Sequence, residues 1–159
     1  MTFRTITTTT AAIGIAIATA AFSGGHASLE DQAIAARNAV MTLYGFNAGI
    51  LGGMAKGDVA YDAASATAAA QNLAAAANMS QMHFWPEGTD NFEMEGKTRA
   101  KPEIWSNADD FATKVSMLAD AATALAATAG DGQAALGAGM QEVGAACGAC
   151  HKAYRGPRL

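Results

Sequence analysis

Five consecutive residues near the C-terminus constrain this chain more than any other feature. Cys147-Gly148-Ala149-Cys150-His151 is a C-x-x-C-H pattern, and it holds both cysteines of the 159 residues. Two thiols at this spacing can add to the two vinyl groups of a haem while the next imidazole takes an axial place on iron. The pattern is therefore the attachment signature of a c-type haem. Helical geometry suits that use: at about 100° per residue, Cys150 falls about 60° to one side of Cys147 and His151 about 40° to the other, so all three leave one helical face. Gly148 and Ala149 add little bulk where a flat macrocycle would lie. Three other uses of the pattern are weaker. A thioredoxin-type pair needs a preceding strand and a βαβ setting, which this sequence lacks. A zinc site needs further ligands, and past residue 27 the other histidine is His83, in a loop beside Phe84-Trp85. A structural disulfide across two residues would close too small a loop to contribute much stability.

The N-terminus places the motif in an exported protein. Met1-Thr2-Phe3-Arg4 is a basic start, Ala11 to Phe22 is apolar and uncharged, and Ser23-Gly24-Gly25-His26-Ala27 is a run of mostly small residues. This is the pattern of a secretory signal peptide over residues 1–27, cleaved after Ala27. The apolar run of about 12 residues is shorter than the roughly 20 that a spanning helix needs, so no membrane anchor is expected in the mature protein. Removing the segment leaves 132 residues, 28–159, as one domain, and the loss of Arg4 takes the formal charge from −4 to −5. A small acidic domain without a long Lys/Arg cluster lacks the electrostatic footprint of nucleic-acid binding.

The mature part reads as all-α. Ala occupies 41 positions, and it has the highest helix propensity. Ser28 followed by Asp31 forms a capping box, and apolar positions at Ile34, Met41, Tyr44, Ala48 and Leu51 continue at helical spacing up to Lys56-Gly57. The first helix is therefore expected over 29–56. Asp58 or Asp62 starts a second helix through Ala63–Ala77. A loop of about 20 residues follows, a length that is usually functional or wrapped around something. A turn at Glu103-Ile104-Trp105 leads to a third helix, capped by Asn107, striped by Phe111, Val115, Leu118, Ala122 and Leu125 and stopped by Gly130. Asp131 is expected to cap the last helix, which carries Leu136, Met140, Val143, Cys147 and Tyr154 on its inner face. Four helices with two short connections predict an antiparallel four-helix bundle, with haem c attached near the C-terminus of the last helix. The Ala-rich tracts imply close helix packing, and they leave room for a bulky group.

Only eight residues follow His151, and none is Met or His. Met140 lies on the same helix and cannot reach the opposite face of a haem. The first helix is therefore the natural distal wall, with Arg37 and Met41 one turn apart on it.

The chain resembles the cytochrome c′ family, the class II c-type cytochromes. The resemblance rests on the C-x-x-C-H near the C-terminus of an exported Ala-rich four-helix chain, followed by Tyr154-Arg155. Further stretches agree: Ala36-Arg37-Asn38, Met54 to Asp58 with Tyr61 to Ala64, Gly88-Thr89-Asp90, and Lys101-Pro102-Glu103-Ile104-Trp105-Ser106. It departs from the family pattern around Trp85-Pro86-Glu87-Gly88, where a residue is inserted. The resemblance implies one haem c per chain, with thioethers at Cys147 and Cys150 and His151 as the axial iron ligand. It implies that Arg37 contacts a haem propionate, that Asn38 and Lys101 are further haem contacts, and that Arg155 lies near the proximal side. Met41 falls at the distal position.

Two uses of the site remain open. If Met41 covers an empty sixth position, the haem is five-coordinate and high-spin and admits small diatomic gases such as NO and CO alongside one-electron transfer. If Met41 ligates the iron, the haem is low-spin His/Met and the chain is a plain electron carrier; low-spin members of the same class also resemble it. No nucleophile–base constellation appears, so turnover of an organic substrate, and hence an enzyme, is not expected. The resemblance also implies a periplasmic location, an unidentified redox protein partner, and a homodimer through the first two helices, where Gly45, Gly49, Gly52 and Gly53 allow close approach.

Overall fold

The computed structural model describes residues 27–158, so the expected signal segment lies, but for Ala27, outside the described residues. The chain forms α1 (Leu29–Lys56), α2 (Ala63–Ala77), a single turn α3 (Glu103–Ser106), α4 (Ala108–Thr128) and α5 (Gln133–Tyr154). The first two helices have the expected bounds, because side chains define both starts. The Asp31 backbone N–H donates to Ser28 Oγ at 3.1 Å and that of Ser65 to Asp62 Oδ1 at 2.7 Å. Gly57, at φ 79°, closes α1 in the left-handed conformation.

The two later starts differ from expectation. Asn107 makes no capping bond with its side chain, and α4 is closed there by the Phe111 N–H donating to the Asn107 carbonyl at 2.9 Å. The N-cap of α5 is Gly132 at φ 117° rather than Asp131. The 129–132 turn is held instead by Tyr61, whose hydroxyl donates to the Ala129 carbonyl and accepts the Gly132 N–H. Gly130 serves through closeness: a Cβ there would lie 2.8 Å from Thr67 Oγ1.

The helices pack as an antiparallel four-membered ring, α1 on α2, α2 on α4, α4 on α5 and α5 on α1. Ala66 and Ala70 on α2, Ala122 on α4 and Ala129 just past its end are completely buried, so the Ala tracts let those two helices approach closely. The large core side chains Leu51, Leu125 and Leu136 are also fully buried. The α4 stripe is buried at Ala122 and Leu125 but only partly so at Phe111, Val115 and Leu118. Those three line a cavity at the end of the bundle where α5 finishes. Loop 78–102 closes that end. It pairs with the C-terminal tail where the Lys101 N–H donates to the Tyr154 carbonyl at 3.0 Å and the Gly156 N–H to the Arg99 carbonyl at 2.7 Å. No helix among the described residues is long and apolar enough to cross a membrane.

Candidate functional site

The cavity has a volume of about 600 Å³, within the roughly 300–1,000 Å³ range of small-molecule and cofactor sites. Cys147, Cys150 and His151 open into it from α5, as the 100° helical arc requires. Leu73, Val115, Leu118 and Val143 make apolar walls, and α1 faces the motif with Asn38, Met41, Tyr44 and Ala48.

The electrostatics of the motif match its chemistry. Both cysteines are free, half-buried thiols, and burial pushes each thiol above its ordinary value. They are therefore held as thiols at neutral pH, with both the sulfur and the hydrogen that a thioether-forming addition places across a vinyl bond. Burial first, and then the positive charges of Arg155 and Arg99, hold the His151 imidazole below its ordinary value. A neutral imidazole is the form that ligates a metal. Beside the motif, Tyr154 donates to Asp110 Oδ2 at 2.5 Å, and that bond, with burial, pushes the phenol up to about 12. Edge-to-face contacts link Tyr154 to Phe111 and Phe111 to Trp85, which makes a stiff aromatic floor.

Arg37 is the least expected part of the site. It lines the cavity yet is only 2% exposed, and its guanidinium is turned into loop 78–102. Nη1 donates to Thr89 Oγ1 at 2.9 Å and to the Phe84 carbonyl at 3.4 Å; Nη2 donates to the Thr89 carbonyl and, at 2.8 Å, to Thr98 Oγ1. The ring of Trp85 lies 4.8 Å from its central carbon, a cation–π distance. Burial lowers the guanidinium to about 10, so it stays charged at neutral pH. Thr89 and Thr98, both buried, are partners of Arg37 that sequence reasoning missed. Only the resemblance around Gly88-Thr89-Asp90 pointed to the first.

Asn38 and Met41 border the cavity and keep exposed surface, 38% for Met41. Arg155 also borders it. Lys101 does not: its Nζ donates to the Ala153 carbonyl at 2.9 Å and pairs with Glu103 at 3.2 Å. The neighbouring helix end holds that ammonium. The basic residues that do line the cavity are Lys97, Arg99, Lys114 and Arg155, besides Arg37. His83 is exposed in a turn.

Free thiols, a neutral imidazole and apolar walls around one volume fit a covalently held haem. The family model described as cytochrome c′ matches residues 32–155. The chain belongs to the cytochrome c′ family. It is 42% identical over 125 residues to cytochrome c-554 of Cereibacter sphaeroides, covering 79% of this chain and 81% of that one. The cytochrome c′ of Thermochromatium tepidum superposes with a TM-score of 0.74 at 35% identity, covering 80% of this chain and 97% of the other. A nitric oxide complex of a variant cytochrome c prime from Alcaligenes xylosoxidans gives 0.72 at 31% identity, with 84% and 100% covered. As a member of the cytochrome c′ family the chain carries covalently attached haem c and is a haem protein of the electron-transfer and gas-binding kind.

Proposed function

We propose that residues 1–27 direct the chain to the periplasm, that Cys147 and Cys150 form the haem thioethers, and that His151 is the iron ligand on the α5 side. The other face, under Met41, is left open to NO and CO. The observation that carries this reading is the single cavity shared by Cys147, Cys150 and His151 on one wall and Met41 on the other. Haem iron, when bound, supplies a one-electron couple and an axial position for a small ligand.

The protein's own groups then set selectivity. Opposite the motif the Tyr44 hydroxyl is already occupied: it donates to the Ala76 carbonyl at 3.2 Å and accepts from Gln81 Nε2, while Gln81 Oε1 accepts from Trp85 Nε1. With that hydroxyl spent and Met41 and Ala48 beside it, the wall is poor in donors for polarising bound dioxygen, which favours NO and CO. Arg37 acts indirectly, by fastening loop 78–102 over the cavity. Titrating the reduced protein with CO or NO is expected to shift the Soret band with saturation at one gas per haem. An unchanged spectrum under excess gas would contradict the open position.

A second reading has one observation in its favour, the thioether of Met41 bordering the same cavity as the iron ligand. With 38% of its surface exposed, Met41 lies at the rim, which supports cover over ligation. The proposal includes a homodimer: α1 exposes Leu43 at 48% and Phe46 at 65%, and a Cβ on nearby Gly49 would meet nothing within 4 Å. Sedimentation equilibrium is expected to return twice the monomer mass, and a monomer at micromolar concentration would remove this part.

A further inference from the structure

We propose that the edge formed by residues 97–102 and 151–158 is a docking surface for an acidic electron-transfer protein. This rests on the electron-transfer reading above. The mature chain is acidic, with 14 Asp and Glu against 9 Lys and Arg. Six of those nine cations nevertheless fall in these two short segments: Lys97, Arg99, Lys101, Lys152, Arg155 and Arg158, with no carboxylate side chain among them.

The fold brings the segments together. Ala100 and Arg155 form an isolated antiparallel bridge, and Arg99 Nε and Nη2 donate to the Gly156 carbonyl at 3.0 and 2.7 Å. Lys97 pairs with Asp31 and Lys101 with Glu103. Among the described residues Arg99, Lys152, Arg155 and Arg158 have no carboxylate partner; Arg99 is bound to neutral carbonyls. Two haem propionates would still leave two of these four positive charges uncompensated. Acids at Glu93 and Glu95 stand on the neighbouring turn, so the end of the bundle is polarised rather than uniformly basic.

The edge borders the site. Arg99 and Arg155 line the cavity with His151. A partner held there would sit beside the cavity that takes the cofactor. Complementary charge raises encounter rates and orients partners, with a strong dependence on ionic strength.

The test sets local charge against net charge. In stopped-flow oxidation of the reduced holoprotein, one electron passes from ferrous haem to hexacyanoferrate(III), giving hexacyanoferrate(II), or to tris(phenanthroline)cobalt(III), giving the cobalt(II) complex. A basic edge predicts that the anionic oxidant slows about tenfold as salt rises from about 10 to 200 mM while the cationic one speeds up. The Lys152→Glu/Arg158→Glu protein should lose about fivefold of the hexacyanoferrate rate at low salt, with an unchanged visible spectrum as the check on folding. Salt slopes of the opposite signs, set by the negative net charge, would overturn the proposal. So would binding to phosphatidylglycerol vesicles that the double variant loses while its hexacyanoferrate kinetics stay unchanged, which would assign the edge to a membrane. Reaction with neither oxidant would remove the electron-transfer reading itself, and the docking surface with it.

Discussion

The Cys147→Ser/Cys150→Ser protein is expected to contain no covalently bound haem. Each thioether arises when a thiol S–H adds across a vinyl double bond, and a serine hydroxyl is far too weak a nucleophile to replace it. The two thiols open into the same volume as His151 and are protonated and unpaired, so nothing else in the site substitutes for them. His151 and the apolar walls would still hold haem loosely, but acidified butanone would extract it all. A haem-stained denaturing gel reads the result directly, with a strong band for the parent chain and none for the variant. Haem that stays with the double variant through denaturation would contradict the assignment. Losing the macrocycle also empties a cavity of about 600 Å³, and unfilled apolar volume is destabilising, so the variant should melt earlier as well.

The second large effect is expected at Arg37. Replacing it with Gln removes a forked cation whose two terminal nitrogens hold Thr89, Thr98 and the Phe84 carbonyl. The Thr89 hydroxyl keeps its own bond to the Pro86 carbonyl at 2.7 Å, but the Thr89 carbonyl is left buried without its donor. Hydrogen bonds to charged groups contribute about 1.5–3 kcal/mol, and breaking a buried charged network costs about 3–5 kcal/mol. A loss of about 3 kcal/mol lowers the melting temperature of a domain this size by about 10 °C. Arg37→Lys should recover only part of it, since one ammonium cannot reach the same acceptors in a fork. Thermal unfolding followed by circular dichroism at 222 nm checks this. A midpoint within about 2 °C of the parent for Arg37→Gln would contradict the clamp.

The contrast between Arg37 and the cysteines shows which parts of the molecule are legible in its residues. The haem motif is local: its spacing, its helical arc and its small intervening residues lie within five positions, so the cavity lining follows the sequence pattern. The same holds for α1 and α2, where Ser28 and Asp62 cap through their own side chains. Asn107 and Asp131 are equally good capping residues by type, but Asn107 also ends α3, with its N–H on the Glu103 carbonyl, and a tertiary contact overrides Asp131. Tyr61, some 70 residues away, fixes the turn before α5.

Arg37 was legible as a site residue but not as a clamp. Its direction depends on the path of loop 78–102, which no periodicity specifies. Lys101 and Arg99 show the same limit, being two residues apart in one extended segment. The first is taken up by the Ala153 carbonyl and Glu103, whereas the second reaches the tail and the cavity. Phe111, Val115 and Leu118 read as an ordinary apolar stripe, and only the fold shows that they stay half-buried and line the cavity.

The central claim is a haem held from α5 with an open position beneath Met41, and the ferric protein's EPR spectrum, with its near-infrared absorption, tests it most directly. A high-spin signal that Met41→Ala leaves high-spin is the expected result. A low-spin signal with a Met–iron charge-transfer band, abolished by Met41→Ala, would contradict it and make Met41 the sixth ligand.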